Sequence, residues 1–98
     1  MPEMEYERQQ AFRRKGNWPS ARIGDQMVVM NATNGTYVDL NETGRRIWEM
    51  AENPTTIEEF CDRLCEEYDI DRASAYREIS DFLAVMIEGG AMLPVERP

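Results

Sequence analysis

The chain has 98 residues, with 11 Lys and Arg against 19 Asp and Glu, a formal charge of −8 and no histidine. This length allows one domain with a modest core and leaves little room for a deep, walled active site. The absence of histidine excludes Ser–His and Cys–His catalytic pairs. The N-terminus contains no apolar signal segment, and no run approaches the roughly 18 apolar residues of a membrane span. The sequence therefore predicts a cytoplasmic protein that is not an enzyme and has neither a cofactor nor a membrane partner.

The charge is unevenly distributed along the chain. Residues 1–22 carry five bases against three acids, a balance of +2, whereas residues 23–98 carry six bases against sixteen acids, a balance of −10. An acidic body repels nucleic-acid phosphates, because that affinity is built largely on cation–phosphate contacts. The same body suits a basic peptide or a basic enzyme surface.

The N-terminal part of the chain changes from irregular to strand-like near Pro19. Residues 1–18 are charged and Gln-rich, which predicts a flexible or partly docked tail. Pro19 to Ile23 are predicted to form a short strand. Residues 25–40 are predicted to form a β-hairpin, because Asn34-Gly35 accepts positive φ at both positions. In the second arm of the hairpin, alternation places Thr36, Val38 and Leu40 on one face and Tyr37 and Asp39 on the other. The residues of the tail that indicate partial docking are the aromatic Tyr6, Phe12 and Trp18.

Three helices are predicted after the hairpin, each with a start signal. Asn41, Thr56 and Asp71 are suitable N-caps, and Thr56 forms a capping box with Glu59. Apolar residues then recur at helical spacing in all three segments. Antiparallel strands followed by helices predict an α+β domain with the sheet covered on one face. Stop signals after the first and third helices are Asn53-Pro54 and Gly89-Gly90.

The two cysteines, Cys61 and Cys65, lie one helical turn apart on an apolar stripe. This position favours buried core thiols over redox partners. Two thiolates without histidine also make a poor zinc site, which needs four ligands. No metal site is therefore predicted, although a small redox or metal protein remains an alternative hypothesis.

Two stretches of the sequence resemble a known family. Leu40-Asn41-Glu42-Thr43-Gly44, followed by Ile47-Trp48, is similar to the "Leu-Asn-x-Thr-Gly-x-x-Ile-Trp" signature of the PqqD-like family. A second, weaker match runs from Thr56-Ile57 to Gly89-Gly90 and on through a short apolar tail. The resemblance covers roughly residues 19–93, with residues 94–98 as a C-terminal tail. The chain departs from the family at Ala51-Glu52-Asn53-Pro54, where many members have Asp-Gly.

The resemblance implies a winged helix-turn-helix fold, with a three-stranded antiparallel sheet and three helices, that acts as a non-catalytic peptide-recognition element. In the family, the leader of a ribosomally made precursor peptide adds as a strand to the sheet edge, beside the third helix. The maturation enzyme that receives the peptide is a leader peptidase of a lasso-peptide pathway or a radical-SAM enzyme. Acidic side chains beside the groove, with Asp39 and Asp81 as candidates, are expected to pair with Lys or Arg of the leader. The residues expected to bind peptide are Thr36, Tyr37, Val38, Asp39 and Leu40 of the edge strand and Tyr76, Ile79, Ser80 and Leu83 of the third helix.

One alternative keeps the winged-helix fold but assigns it to DNA-binding regulation. The second and third predicted helices carry eight acids and three bases between them, which opposes approach to phosphates. The oligomeric state is left open by the sequence, which is compatible with a monomer or with a dimer paired through the open strand edge.

Overall fold

A computed structural model describes residues 9–16, 18–31 and 34–96. It has an α+β architecture with three helices and two small sheets. The predictions made for residues 1–8, which include Tyr6, lie outside the described residues. The elements in chain order are β1 (Ala11–Arg14), β2 (Ser20–Ile23), β3 (Gln26–Met30), β4 (Tyr37–Leu40), α1 (Glu42–Met50), β5 (Thr55–Thr56), α2 (Ile57–Glu67), α3 (Arg72–Glu88) and β6 (Met92–Val95).

The first sheet is the predicted three-stranded antiparallel sheet, in the order β2-β3-β4. A two-residue turn at Gly24-Asp25 joins β2 to β3, and Gly24 has a φ of 64°. Gly35, in the predicted turn between β3 and β4, has a φ of 76°. Both glycines occupy the left-handed region, which residues with a Cβ rarely adopt. Because β3 lies in the middle, β2 and β4 are the two edges of this sheet.

The second sheet, β5-β1-β6, was not predicted. Its central strand β1 comes from the segment that the sequence indicated as a tail, and the Phe12 side chain is fully buried. β1 pairs with β6 at the other end of the chain, for example Ala11 with Val95, and with β5 between α1 and α2. The folded unit therefore extends on both sides of residues 19–93. Pro94 is tolerated in β6 because this strand lies at an edge.

The three predicted helix starts are confirmed. Asn41 Oδ1 accepts a hydrogen bond from the Gly44 N–H at 2.8 Å, and Asp71 Oδ1 accepts one from the Ser74 N–H at 2.8 Å. Thr56 and Glu59 form the reciprocal capping box. These bonds satisfy amide groups that have no partner within the helix.

The third helix ends in a Schellman motif at the predicted glycine pair. Gly90 has a φ of 84°, the Gly90 N–H donates to the Ile87 C=O at 3.0 Å, and the Ala91 N–H donates to the Met86 C=O at 2.8 Å. This sharp reversal directs the chain out of α3 and into β6.

One apolar core joins both sheets to the helices. The largest buried side chains come from β1, β3, all three helices and β6, so no layer has a separate core. Two groups of exposed ion pairs link the helices. Arg46 of α1 pairs with Glu67 of α2, and Arg72 of α3 pairs with both Glu58 and Asp62 of α2. Within the described part of the chain, no helix is long and apolar enough to cross a membrane.

Candidate functional site

The edge strand β4 alternates between the core and the solvent as predicted. Leu40 is buried and Val38 is half-buried against the core, whereas Tyr37 and Asp39 are exposed. The exposed fraction of Tyr37 is 67%, so most of its aromatic ring is free of the protein's own packing.

Among the residues that the structure describes, no strand pairs with the outer side of β4. In an antiparallel pair, residues that bond across the ladder alternate with residues whose N–H and C=O point the other way. The Asn31 N–H donates to the Thr36 C=O at 2.8 Å, and the register carries this pattern to Val38, which occupies a bonded position. The N–H and C=O groups of Tyr37 and Asp39 therefore point away from β3, at the free edge of the sheet.

A cavity of about 460 Å³ lies beside this edge. It is an open groove between β4, the first half of α1 and one face of α3, and we call it the β4–α3 groove. Its volume lies within the range of roughly 300–1,000 Å³ that is typical of ligand pockets. On the β4 and α1 side it is lined by Val38, Asp39, Leu40, Asn41, Thr43, Gly44 and Ile47. On the α3 side it is lined by Arg77, Glu78, Asp81, Phe82, Val85 and Met86.

The groove combines an apolar wall with an acidic rim. Phe82 is half-buried against the core, and Val85 is 59% exposed, which makes it one of three large exposed apolar residues in the described chain. Three acids and one base, Arg77, line the same groove, so its formal charge is −2. The acids of the rim are Asp39, Glu78 and Asp81.

Hydrogen bonds hold the two walls of the groove together. The Thr43 hydroxyl at the start of α1 donates to Glu78 Oε1 of α3 at 2.7 Å. The same hydroxyl lies 3.2 Å from Oδ1 of Asn41, the cap of α1. The Leu-Asn-x-Thr-Gly segment thus ends the edge strand, caps the next helix and binds that helix to α3.

Such an arrangement can bind an extended peptide. A strand added to β4 would satisfy the outward N–H and C=O groups of Tyr37 and Asp39, and alternate side chains of that strand would enter the groove. A family model described as coenzyme PQQ synthesis protein D (PqqD) matches residues 26–91, the span that contains both walls of the groove. The chain belongs to the PqqD family.

Two solved structures are similar to this PqqD-family chain. The structure of TbiB1 in complex with the TbiA(beta) leader peptide is 30% identical, with a TM-score of 0.74, and the match covers 87% of this chain and 99% of that one. The structure of lasso peptide synthetase B1 complexed with the leader peptide is 26% identical, with a TM-score of 0.73, and the match covers 85% and 98% of the two chains. No curated protein sequence matches this chain.

The predicted strand residues lie at the groove or next to it. Val38, Asp39 and Leu40 line it, Tyr37 stands exposed on the outer face of β4, and Thr36 is exposed just before β4. The Thr36 N–H and hydroxyl both bond to Oδ1 of Asn34 in the preceding turn.

The four predicted residues of the third helix lie on other faces than the groove. Ile79 and Leu83 are fully buried in the core, and Tyr76 and Ser80 are half-buried outside the groove lining. The groove wall is the neighbouring stripe of α3. It includes Phe82, which the sequence did not identify as a groove residue. Apolar residues surround α3 on more than one face, so periodicity gave no means of separating the core stripe from the groove stripe.

The cysteines take no part in this site. Cys61 is fully buried and Cys65 is half-buried, and neither forms a disulfide; both lie on the face of α2 that packs into the core. Among the described residues, no group of three or more His, Cys, Asp or Glu side chains is arranged to hold a metal ion.

Proposed function

We propose that this chain is a non-catalytic recognition module that binds the leader region of a ribosomally synthesised precursor peptide and presents it to a maturation enzyme. The observation that carries the proposal is the open edge of β4 beside the apolar wall of α3. Both similar solved structures are complexes with a leader peptide, and their likeness covers at least 85% of this chain. Strand addition gives affinity through main-chain bonds, and the groove gives selectivity through side chains.

The proposal includes a winged helix-turn-helix arrangement and a particular class of partner. In the proposed arrangement, the hairpin of β3 and β4 would be the wing, and α2 followed by α3 would be the helix-turn-helix. The lasso-peptide setting of one similar structure favours a leader peptidase as the partner enzyme, with a radical-SAM enzyme as the second candidate. DNA regulation is disfavoured because Arg72, one of two bases on α3, is engaged by Glu58 and Asp62 of α2.

The peptide contacts that we propose differ from the first expectation at the third helix. Thr36 to Leu40 remain the proposed edge, with Tyr37 and Asp39 supplying the main-chain groups. Phe82 and Val85 replace Ile79 and Leu83 as the apolar wall, because a side chain without exposed surface has no area to offer a ligand.

The test is direct titration of labelled peptides. The N-terminal halves of short open reading frames beside the gene would be synthesised, labelled with a fluorophore and titrated by anisotropy. We expect saturable binding with a Kd of about 1 µM or tighter. Asp39→Pro removes an outward N–H without breaking the β3–β4 ladder, and should weaken binding by about tenfold or more.

Two control variants isolate the backbone contribution. Asp39→Asn removes the charge and keeps the N–H, so it separates the ion pair from the main-chain bond. Ser20→Pro removes an N–H from the opposite edge of the same sheet, where the register gives it the same outward orientation. It should leave the affinity unchanged. Absence of binding by every neighbouring peptide, with a folded protein, would overturn the proposed function.

A further inference from the structure

The outer face of the β2-β3-β4 sheet carries a group of apolar side chains. Residues directly opposite in antiparallel strands point to the same side, so the register aligns Ile23 with Gln26 and Met30 with Tyr37 on the face away from the core. Val28 lies at the centre of this face. Its neighbours across the two strands are Ala21 and Asp39. We call Ile23, Val28, Met30 and Tyr37 the sheet-face patch.

The chain's own core does not account for this patch. The exposed fractions of Ile23 and Tyr37 are 66% and 67%, and Val28 and Met30 are half-buried without belonging to the residues packed against the core. Antiparallel sheets with one wet face normally carry polar residues there, whereas a continuous apolar strand is typical of a sheet covered on both faces. The run Met-Val-Val-Met at residues 27–30 is such a strand, and the described residues of the chain cover it on one side only.

We infer that the sheet-face patch is the docking surface for the maturation enzyme that acts on the bound peptide. The inference rests on the proposed function. A peptide strand added to β4 would extend the same sheet, and every second peptide side chain would point to the outer face, next to Tyr37. An enzyme seated on the patch therefore contacts this protein and the peptide at once.

Charge indicates the chemistry of the partner. The patch is flanked by the exposed carboxylates of Asp25 and Asp39, and residues 23–98 carry sixteen acids against six bases. The partner surface should therefore be apolar at its centre and basic at its rim.

A second copy of this chain is a poorer occupant, because a twofold contact brings identical patches together and two bodies of charge −8 repel each other.

The test uses an Ile23→Thr, Val28→Thr double variant of the full chain. Threonine keeps the β-branched shape that suits a strand but places a hydroxyl on the patch. The matched control is Val95→Thr, which makes the same change at a half-buried valine in an edge strand of the other sheet. Should the double variant fail to fold, Ile23→Thr alone changes a largely exposed side chain.

Two affinities are measured for each variant. The first is the affinity for the labelled leader peptide, which the double variant should keep within about twofold, because Ile23 and Val28 lie on β2 and β3 and neither lines the groove. The second is the affinity of the purified leader peptidase encoded beside the gene, with and without saturating peptide. The double variant should weaken this second affinity by about tenfold or more, with Val95→Thr unchanged.

The outcomes separate this inference from the proposed function. Unchanged enzyme affinity in the double variant, with peptide binding intact, overturns the docking surface and leaves the proposed function standing. Failure of the wild-type protein to bind any peptide overturns the proposed function, and the titration without peptide then still decides whether the patch binds the enzyme. A wild-type dimer that the double variant abolishes in sedimentation would assign the patch to a second copy and overturn the inference.

Discussion

Gly44 of α1 lies directly against the ring of Phe82 in α3: a Cβ atom at position 44 would stand 3.2 Å from Cε1 of that ring. The same Cβ would stand 3.0 Å from Oδ1 of Asn41, the oxygen that caps α1. Because glycine has no side chain, α1 and α3 can approach closely at this point, and the approach sets the position of the Phe82 ring that lines the groove.

Gly44→Ala should weaken peptide binding more than it alters stability. Alanine gains about 1 kcal/mol of helix propensity over glycine, and displacement of the cap oxygen and the Phe82 ring offsets that gain. We expect a change of less than about 1 kcal/mol in the free energy of unfolding but a loss of roughly three- to tenfold in peptide affinity. Gly16→Ala is the matched control, because nothing lies within 4 Å of a Cβ there. Equal affinities in the two variants would show that Gly44 does not position the ring.

Asp81→Asn should slow the association of a basic leader peptide. Asp81 lies on the rim of a groove with a formal charge of −2, so removing its charge weakens the attraction that steers the encounter. We expect a lower association rate constant in stopped-flow anisotropy at low salt, with the difference from wild type shrinking at high salt. Glu88→Gln, an exposed acid on α3 outside the groove lining, should leave the rate constant unchanged. An Asp81→Asn rate that matches wild type at low salt would exclude this residue from steering.

Replacing both cysteines should leave recognition intact. Cys61 is fully buried in the core and neither cysteine lines the groove, so Cys61→Ser with Cys65→Ser should reduce the free energy of unfolding by about 1–3 kcal/mol and keep the peptide Kd. Denaturant titration and anisotropy on the same sample test both statements. Loss of binding in a folded double variant would instead favour a redox role for the thiols.

Phe12→Ala should destabilise the whole domain. The Phe12 side chain is fully buried in the central strand of the second sheet, so its removal leaves a cavity and should cost about 3–5 kcal/mol of unfolding free energy. Urea titration would measure the loss, with Arg13→Ala at the exposed neighbouring position as the control. A loss below about 1 kcal/mol would indicate that β1 is not part of the cooperative unit.

Glu67→Gln should remove part of the acid sensitivity of folding. Hydrogen bonds of 2.7 and 3.0 Å from the Arg46 guanidinium hold the pKa of Glu67 below its ordinary value of 4.5. A lowered folded-state pKa contributes stability that is present above the ordinary value and is lost as the pH falls through the folded one. Because both side chains are partly exposed, the free energy of unfolding of wild type should exceed that of Glu67→Gln by no more than about 1 kcal/mol at neutral pH.

The pH series itself provides the check on this ion pair. Urea titrations of both proteins at decreasing pH should converge once the pH falls below the folded-state pKa of Glu67, where the carboxyl group is protonated. If the difference in the free energy of unfolding between the two proteins stays constant across the pH series, the stability lost in Glu67→Gln comes from packing and not from charge.

Much of the fold could be predicted from the sequence because it depends on local interactions. The caps at Asn41, Thr56 and Asp71 were predictable because each bond joins residues only three positions apart. The two faces of β4 followed from the period of two in any strand. The Leu-Asn-x-Thr-Gly segment carried the family resemblance that the match to residues 26–91 confirmed.

The tertiary structure alone decided the second sheet and the wall of the groove. Ala11 pairs with Val95 and Thr56, partners more than forty positions away, and four residues of strand carry no local signal of such a pairing. α3 carries apolar residues around much of its circumference. The sequence therefore determined that the helix packs against the core, but not which stripe of residues faces the core. Packing against β4 and α1 assigned Leu83 to the core and Phe82 to the groove, because adjacent helical positions point about 100° apart and these two side chains therefore face different neighbours.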